Sequence, residues 1–183
     1  KWIVTGSDDR TARVWDATTG EARGDPLEHS GGVHLVTFDG EGARLLTAAD
    51  DGSSSLWEVP AFARIRSLPE HDGSVSVACF GAGATRILTA SSGWRPIPGV
   101  LPDAPPGSGH QRTDDHTARI LDASTGEVLR VLDHDTGVGG AAWSPDGKVV
   151  VTVSSGLIHV WDPATGELQR TAGGGSAVGE VEF

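Results

Sequence analysis

The chain of 183 residues has no methionine, no tyrosine, one cysteine and only two lysines, Lys1 and Lys148. Each scarcity excludes something. A lone Cys79 rules out an intramolecular disulfide, and its place in the apolar run Val-Ser-Val-Ala-Cys-Phe marks a buried, inert thiol rather than a nucleophile. Fourteen Lys and Arg against twenty-five Asp and Glu give a formal net charge of −11. The cations that nucleic-acid phosphates or an anionic membrane surface require are therefore missing. A basic protein partner is the better electrostatic match, beside the plainer reading of the charge as a solubility device. No signal peptide and no apolar run of about 18 residues occurs, so the segment is expected to be soluble and cytoplasmic. Abundant Ala, Gly and Arg without Met or Tyr fits a GC-rich bacterial genome. No stretch carries a helical stripe of useful length, which makes the class all-β. Nor is there a phosphate-loop or kinase catalytic-loop motif.

What the chain has instead is repetition. Trp15-Asp16, Trp57-Glu58, Leu121-Asp122 and Trp161-Asp162 each close a short β-branched run. A spacing of 42 residues separates Trp15 from Trp57, His29 from His71 and Phe38 from Phe80. A period of about 40 to 45 residues ending on an aromatic–acid pair is the mark of a propeller blade. The units run 1–28, 29–70, 71–133 and 134–173, with the start of a further one at 174–183. Turn residues divide each complete unit into four short strands. In the second they are 33–38, 44–48, 53–57 and 64–68; in the third 75–80, 86–90, 117–121 and 128–132; in the fourth 139–143, 149–153, 157–161 and 168–171. The first unit lacks its opening strand, and the fifth supplies only one, at 178–183. Turns 17–21, 123–127 and 163–167 share a Thr-Gly-Glu ending, so Gly20, Gly126 and Gly166 are expected at positive φ. The chain opens in mid-strand and holds about four blades, whereas propellers have roughly 4 to 8; it is expected to be part of a longer, seven- or eight-bladed array.

The period breaks once. Trp57 and Leu121 lie 64 residues apart, which places an insertion at 92–113 carrying five of the ten prolines. Such composition predicts an extended or irregular loop without a strand ladder.

With His, Thr, Asp and Trp in one phase, the chain resembles the WD40 repeat family over essentially its whole length apart from the insertion. The resemblance implies a WD40-type β-propeller and a hydrogen-bonded tetrad in each blade. The second unit carries all four members: His29, Thr47, Asp51 and Trp57. The first has Thr5, Asp9 and Trp15; the third has His71, Thr89 and Asp115, with Leu121 in place of Trp; the fourth has His134, Thr152 and Trp161, with Ser154 or Ser155 where Asp is expected. The fifth has Gly174 at the His position. Buried imidazole, carboxylate and indole groups need partners, and the tetrad lets them satisfy one another. A His, hydroxyl and Asp trio that recurs once per blade is structural, not hydrolase machinery.

The resemblance also implies a docking face around the central channel. Its rim would hold Asp8, Asp50 and Asp114 in the turns, His34, Ser74 and Ser76 at the first strands, and the small residues Gly32, Gly137, Gly139, Ala177 and Gly179. In the insertion, Trp94 and Arg95 are the best anchors for a partner. His110 and His116 flank Asp114-Asp115, but that spacing is weak for zinc, and no metal or cofactor is expected. His159 reads as a packing residue. The leading expectation is a non-catalytic scaffold or docking module that binds protein partners. The alternative is the sensor arm of a multidomain enzyme such as a bacterial kinase or signalling NTPase. Open end blades also point to self-association, and two such chains would supply eight blades.

Overall fold

The computed structural model describes residues 1–97, 109–173 and 181. Among them all regular structure is antiparallel strand apart from one 3-10 turn, Ala82–Ala84. The first sheet has the order β1 (Trp2–Gly6), β2 (Thr11–Asp16), β3 (Ala22–Glu28). The second runs β4 (Val33–Phe38), β5 (Arg44–Ala49), β6 (Ser54–Glu58), β7 (Arg64–Ser67). The third is built from β8 (Val75–Phe80), β9 (Arg86–Ser91), β12 (Thr117–Asp122) and β13 (Val128–Asp133), paired in that order. The fourth runs β14 (Val138–Trp143), β15 (Val150–Ser154), β16 (Leu157–Trp161), β17 (Leu168–Gly173). Each sheet is a blade, and the blades stack in chain order: β1 packs on β4, β4 on β8, and β14 on β8 and β9. Among the described residues the first and fourth blades do not pack on each other, so no ring closes. Gly174 and, apart from residue 181, the expected fifth opening strand at 178–183 lie outside the described residues.

The expectation of an insertion without a ladder needs correction. β10 (Trp94–Pro96) and β11 (His110–Arg112) form a two-stranded ribbon between β9 and β12. Proline is tolerated there for a geometric reason. Ile97 N–H donates to Gly109 O at 2.8 Å, which puts Pro96 and His110 in the adjacent pair that exchanges no ladder bonds. The ribbon's root is pinned to the third blade, with Ser74 N–H donating to Trp94 O and Ser92 N–H to Ser74 O. Residues 98–108 lie outside the described residues.

Alternating apolar positions give the two inner blades two buried faces and the outer blades one, and three separate cores fill the seams. Ala12, Val14 and Leu27 meet Val33, Leu45 and Trp57 between the first two blades. Leu46, Leu56 and Leu68 meet Ile87 and Leu121 at the second seam. Leu88, Ala118, Ile120 and Leu132 meet Val138, Val150 and Trp161 at the third.

Arginines on the outer strands strap these seams. Arg66 on β7 donates to Ser124 O at 2.8 Å and also to Thr125 O, both in the β12–β13 turn of the next blade. Arg130 on β13 repeats the contact one blade on, its Nε donating to Ala164 O at 2.9 Å. Gly126, at φ +74, lies under the Arg66 stem, where a Cβ would sit 2.7 Å from Arg66 Cδ. A side chain there would be strained and would also lift the strap. We expect Arg66→Ala to lower the unfolding free energy by about 1 kcal/mol, read by urea denaturation. No change would mean that the strap contributes nothing beyond packing.

Candidate functional site

Two arrangements could carry function: the hydrogen-bonded chains in the seams and the loop face that holds the ribbon. The chains begin at the second strand of the repeat unit, where in the second, third and fourth blades a threonine hydroxyl is sealed from water. Thr47 and Thr152 are 0 % exposed and Thr89 is 1 %. Thr47 Oγ1 accepts the Trp57 indole N–H at 2.8 Å and lies 2.7 Å from His29 Nε2. Thr152 does the same with Trp161 at 2.8 Å and His134 Nε2 at 2.7 Å. In the first blade Trp15 donates to Thr5 at 3.0 Å, in an exposed setting. The histidines also hold the seams through their main chains: His29 N–H donates to Arg10 O, His71 N–H to Gly52 O and His134 N–H to His116 O.

The acid ends of the chains differ from one blade to the next. In the third, His71 Nδ1 lies 2.9 Å from Asp115 Oδ2, and Thr89 Oγ1 is 3.0 Å from Nε2. The blade without its tryptophan thus has a direct His–Asp contact. Asp115 also accepts from the Asp72 N–H, from both the N–H and the hydroxyl of Thr117, and from Arg119. Burial opposes ionisation of Asp115, yet the hydrogen bonds from His71, Thr117 and Asp72 outweigh it and hold the carboxyl well below its ordinary range. In the second blade Asp51 does not touch His29, which corrects the expected tetrad. Ser53 stands between them, its Oγ 3.0 Å from His29 Nδ1 and donating to Asp51 Oδ1 at 2.7 Å. That turn geometry also explains why β6 begins at Ser54 and not at Ser53, whose N–H goes to the Asp51 carboxylate. Asp9 is an exposed turn acid bonded to the N–H and hydroxyl of Thr11.

The direction of these chains follows from their ends. A carboxylate only accepts, so the imidazole donates from Nδ1 and Nε2 accepts from threonine, whose oxygen is then open to the indole. In the fourth blade no carboxylate bonds the imidazole, and Thr136 instead lies 2.7 Å from both Ser154 Oγ and Ser155 Oγ. His134 Nδ1 is left buried without a partner. Its ring meets the His159 and Trp161 rings edge-on, each with centroids 5.2 Å away.

Burial pushes His29 below the ordinary histidine value, with the Asp51 charge pulling it back and Arg64 adding to the depression. Burial does the same to His134, helped by His159. Both rings are neutral in the fold and take up protons more readily once it opens. Stability is therefore complete above 6.5, the ordinary histidine value, and falls as pH drops below it. The Asp115 contribution is retained to lower pH and is lost below its ordinary value of 3.8. We expect the melting temperature to fall in two stages on acidification, the first setting in as pH drops through 6.5. A flat melting temperature across that first stage would contradict neutral, buried His29 and His134.

On the loop face several expected docking residues are already engaged between blades. Ser76 donates to Val138 O at 2.5 Å and Ser74 to Asp50 O at 2.7 Å. His34 lies with Nε2 2.7 Å from Val75 O and Nδ1 3.2 Å from Asp50 Oδ1. These contacts share one cause: the first strands run side by side, so their polar side chains come within reach of a neighbour's backbone, although His34 remains exposed. Asp8 and Asp114 are exposed and make no such contact among the described residues. Trp94 is 46 % exposed on the ribbon, with the Arg112 guanidinium 5.5 Å from its ring. Arg95 lies 3.8 Å from Asp72. Beside the ribbon, Glu70, Asp72, Asp114 and Asp115 line a shallow acidic depression together with Arg119. Sequence reasoning missed Arg112, Asp72 and Glu70; the ribbon that joins them to Trp94 had no signal in a proline-rich composition. No group of three or more His, Cys, Asp or Glu gathers to hold a metal among the described residues. Burial raises the Cys79 thiol to about 11, which leaves it protonated and unreactive.

The unequal acid ends set unequal costs. Asp115→Ala strands His71 and four further donors and is expected to cost about 3 kcal/mol, whereas Asp51→Ala should cost about 1 kcal/mol. Equal losses in chemical denaturation would show that the two turns are equivalent.

A family model described as WD domain, G-beta repeat, the WD40 family, matches residues 1–16 and 126–162. No curated protein matches the chain.

Proposed function

We propose that this chain, two segments of which match the WD40 family model, is a non-catalytic docking module whose partner is a protein segment carrying basic side chains. WD40 repeats generally mediate protein–protein interaction and are typically non-catalytic. The observation that carries the finer reading is the ribbon. An exposed tryptophan, stiffened by a stacked Arg112, stands beside a depression lined with carboxylates. An aromatic anchor next to compensating charge is the composition of an interface hot spot. The net charge of −11 favours the same partner at long range. The seam histidines and threonines supply no competing chemistry, since their hydroxyls are sealed from solvent and committed to indole and imidazole.

An array of Lys- and Arg-containing peptides, probed with the labelled chain at two salt concentrations, tests the reading. Binding should weaken as salt rises. Trp94→Ala should weaken it by about 2 kcal/mol, or some thirtyfold, without lowering the melting temperature. Retention of no basic peptide, or an unaltered affinity in Trp94→Ala, would overturn it.

A further inference from the structure

Three first strands end on aromatic rings: β4 on Phe38, β8 on Phe80 and β14 on Trp143. All three rings are half-buried and wall one cavity of about 480 Å³. It lies at the end of β8 away from the ribbon, whose root is pinned at Ser74. Cys79 and Gly81 complete its apolar side. The seams beneath it join the second blade to the third and the third to the fourth, each filled from both sides by described residues. None of these residues belongs to the ribbon or to the acidic depression beside it.

The cavity is there because the third blade departs from the repeat. Asp39 and Ser144 hold the position of Gly81 in the neighbouring blades, and each closes its own turn. Asp39 Oδ1 accepts the Ala43 N–H at 2.8 Å, and Ser144 Oγ accepts the Val149 N–H at 3.0 Å. Gly81 makes no such cap. The Trp143 ring lies over it instead, so close that a Cβ there would sit 2.9 Å from Trp143 Cε2. The turn then passes through Ala84 at φ +50, a strained conformation for a residue with a Cβ. Arg44 of the second blade holds it there by donating to Ala84 O, its guanidinium 5.3 Å from the Phe80 ring.

The polar groups of the wall divide into those already committed and those left open. Asp39 is committed, since it also accepts from Arg44 Nε at 3.0 Å, and this pairing offsets the Arg44 charge. Ser144 donates to Asp146 at 2.7 Å. What remain are donors. Arg44 uses Nε and Nη2, which leaves Nη1 open among the described residues. Trp143 Nε1, bonded to the carbon that overlies Gly81, is buried without a partner.

We infer that this cavity binds a small uncharged molecule that joins a flat apolar ring to a carbonyl acceptor. Three aromatic rings offer it surface, and two open donors call for an acceptor. The volume falls within the roughly 300 to 1,000 Å³ of small-ligand sites. Charge of either sign is disfavoured. A carboxylate would meet Asp39 and Glu41 in the same wall, on a chain of net charge −11, and a cation would meet Arg44.

Nitrogen-15 spectra of the labelled 183-residue chain test the assignment. Each of the six tryptophans gives one indole N–H signal, and through-space contact with the Gly81 protons identifies that of Trp143. Four probes share one ring: acetophenone, toluene, benzoate and benzamidinium. Acetophenone should move the Trp143 signal downfield and saturably, and should bind at least about tenfold tighter than each of the others. Gly81→Ala, which lifts the indole from its seat, should weaken acetophenone at least about tenfold with the other five indole signals in place. A Trp143 signal unmoved up to the solubility limit of acetophenone would overturn the inference. So would toluene or either ion binding as tightly, a comparison made on the unsubstituted chain, or a folded Gly81→Ala variant that binds acetophenone undiminished.

Discussion

Everything in this molecule hangs on a few buried threonine hydroxyls and the histidines that reach them. An imidazole is bonded by its main chain to the turn of the preceding blade and by its side chain to the second strand of its own. One residue therefore ties two sheets that share no ladder. The hydroxyl it reaches accepts an indole that itself belongs to the seam core. Polar satisfaction and apolar packing are in this way fastened to the same atom, and neither can loosen without the other. A hydrogen bond made away from water is worth only about 1 kcal/mol net, but an orphaned donor there costs more. The chain is thus held less by what each bond adds than by what its absence would leave unpaired.

Much of this architecture could be read from the sequence, because period and strand alternation are direct images of backbone geometry. A spacing of 42 residues and short runs punctuated by glycine led to antiparallel four-stranded blades, with strand limits that differ by a residue or two from those observed. Side-chain contacts within a turn were less legible. Whether Asp51 or Ser53 meets His29 depends on a few ångströms of turn geometry, and both residues suit that turn. The straps did leave a signal, an arginine at a fixed distance from the third-strand end in the last three blades, but a single exposed arginine carries no meaning until its acceptor carbonyl is seen. The ribbon left none, since the proline content of the insertion masked two three-residue strands at its ends.

The substitutions that erode the repeat show which parts of it bear on stability. Leu121 stands where an indole would and is fully buried in the second seam, so that blade keeps a buried apolar group, though a smaller one, and gives up one donor. It retains the direct imidazole–carboxylate contact. The fourth blade does the reverse: Trp161 remains, the carboxylate is gone, and an imidazole nitrogen is left unsatisfied. The two blades have lost opposite ends of the same chain of donors. In both, the threonine–histidine centre is intact.

The root of the ribbon has a mechanical consequence. Where it leaves the third blade, its backbone lies so near the fourth that a Cβ on Gly137 would sit 1.8 Å from Ser92 O. Gly93 is confined less tightly, against the His116 ring and the Gly137 backbone. The ribbon is therefore a lever whose fulcrum is a joint between two blades. A load that tilts it towards the fourth blade meets main chain against main chain, with no side chain to yield, and passes undamped into the strand that begins at Val138.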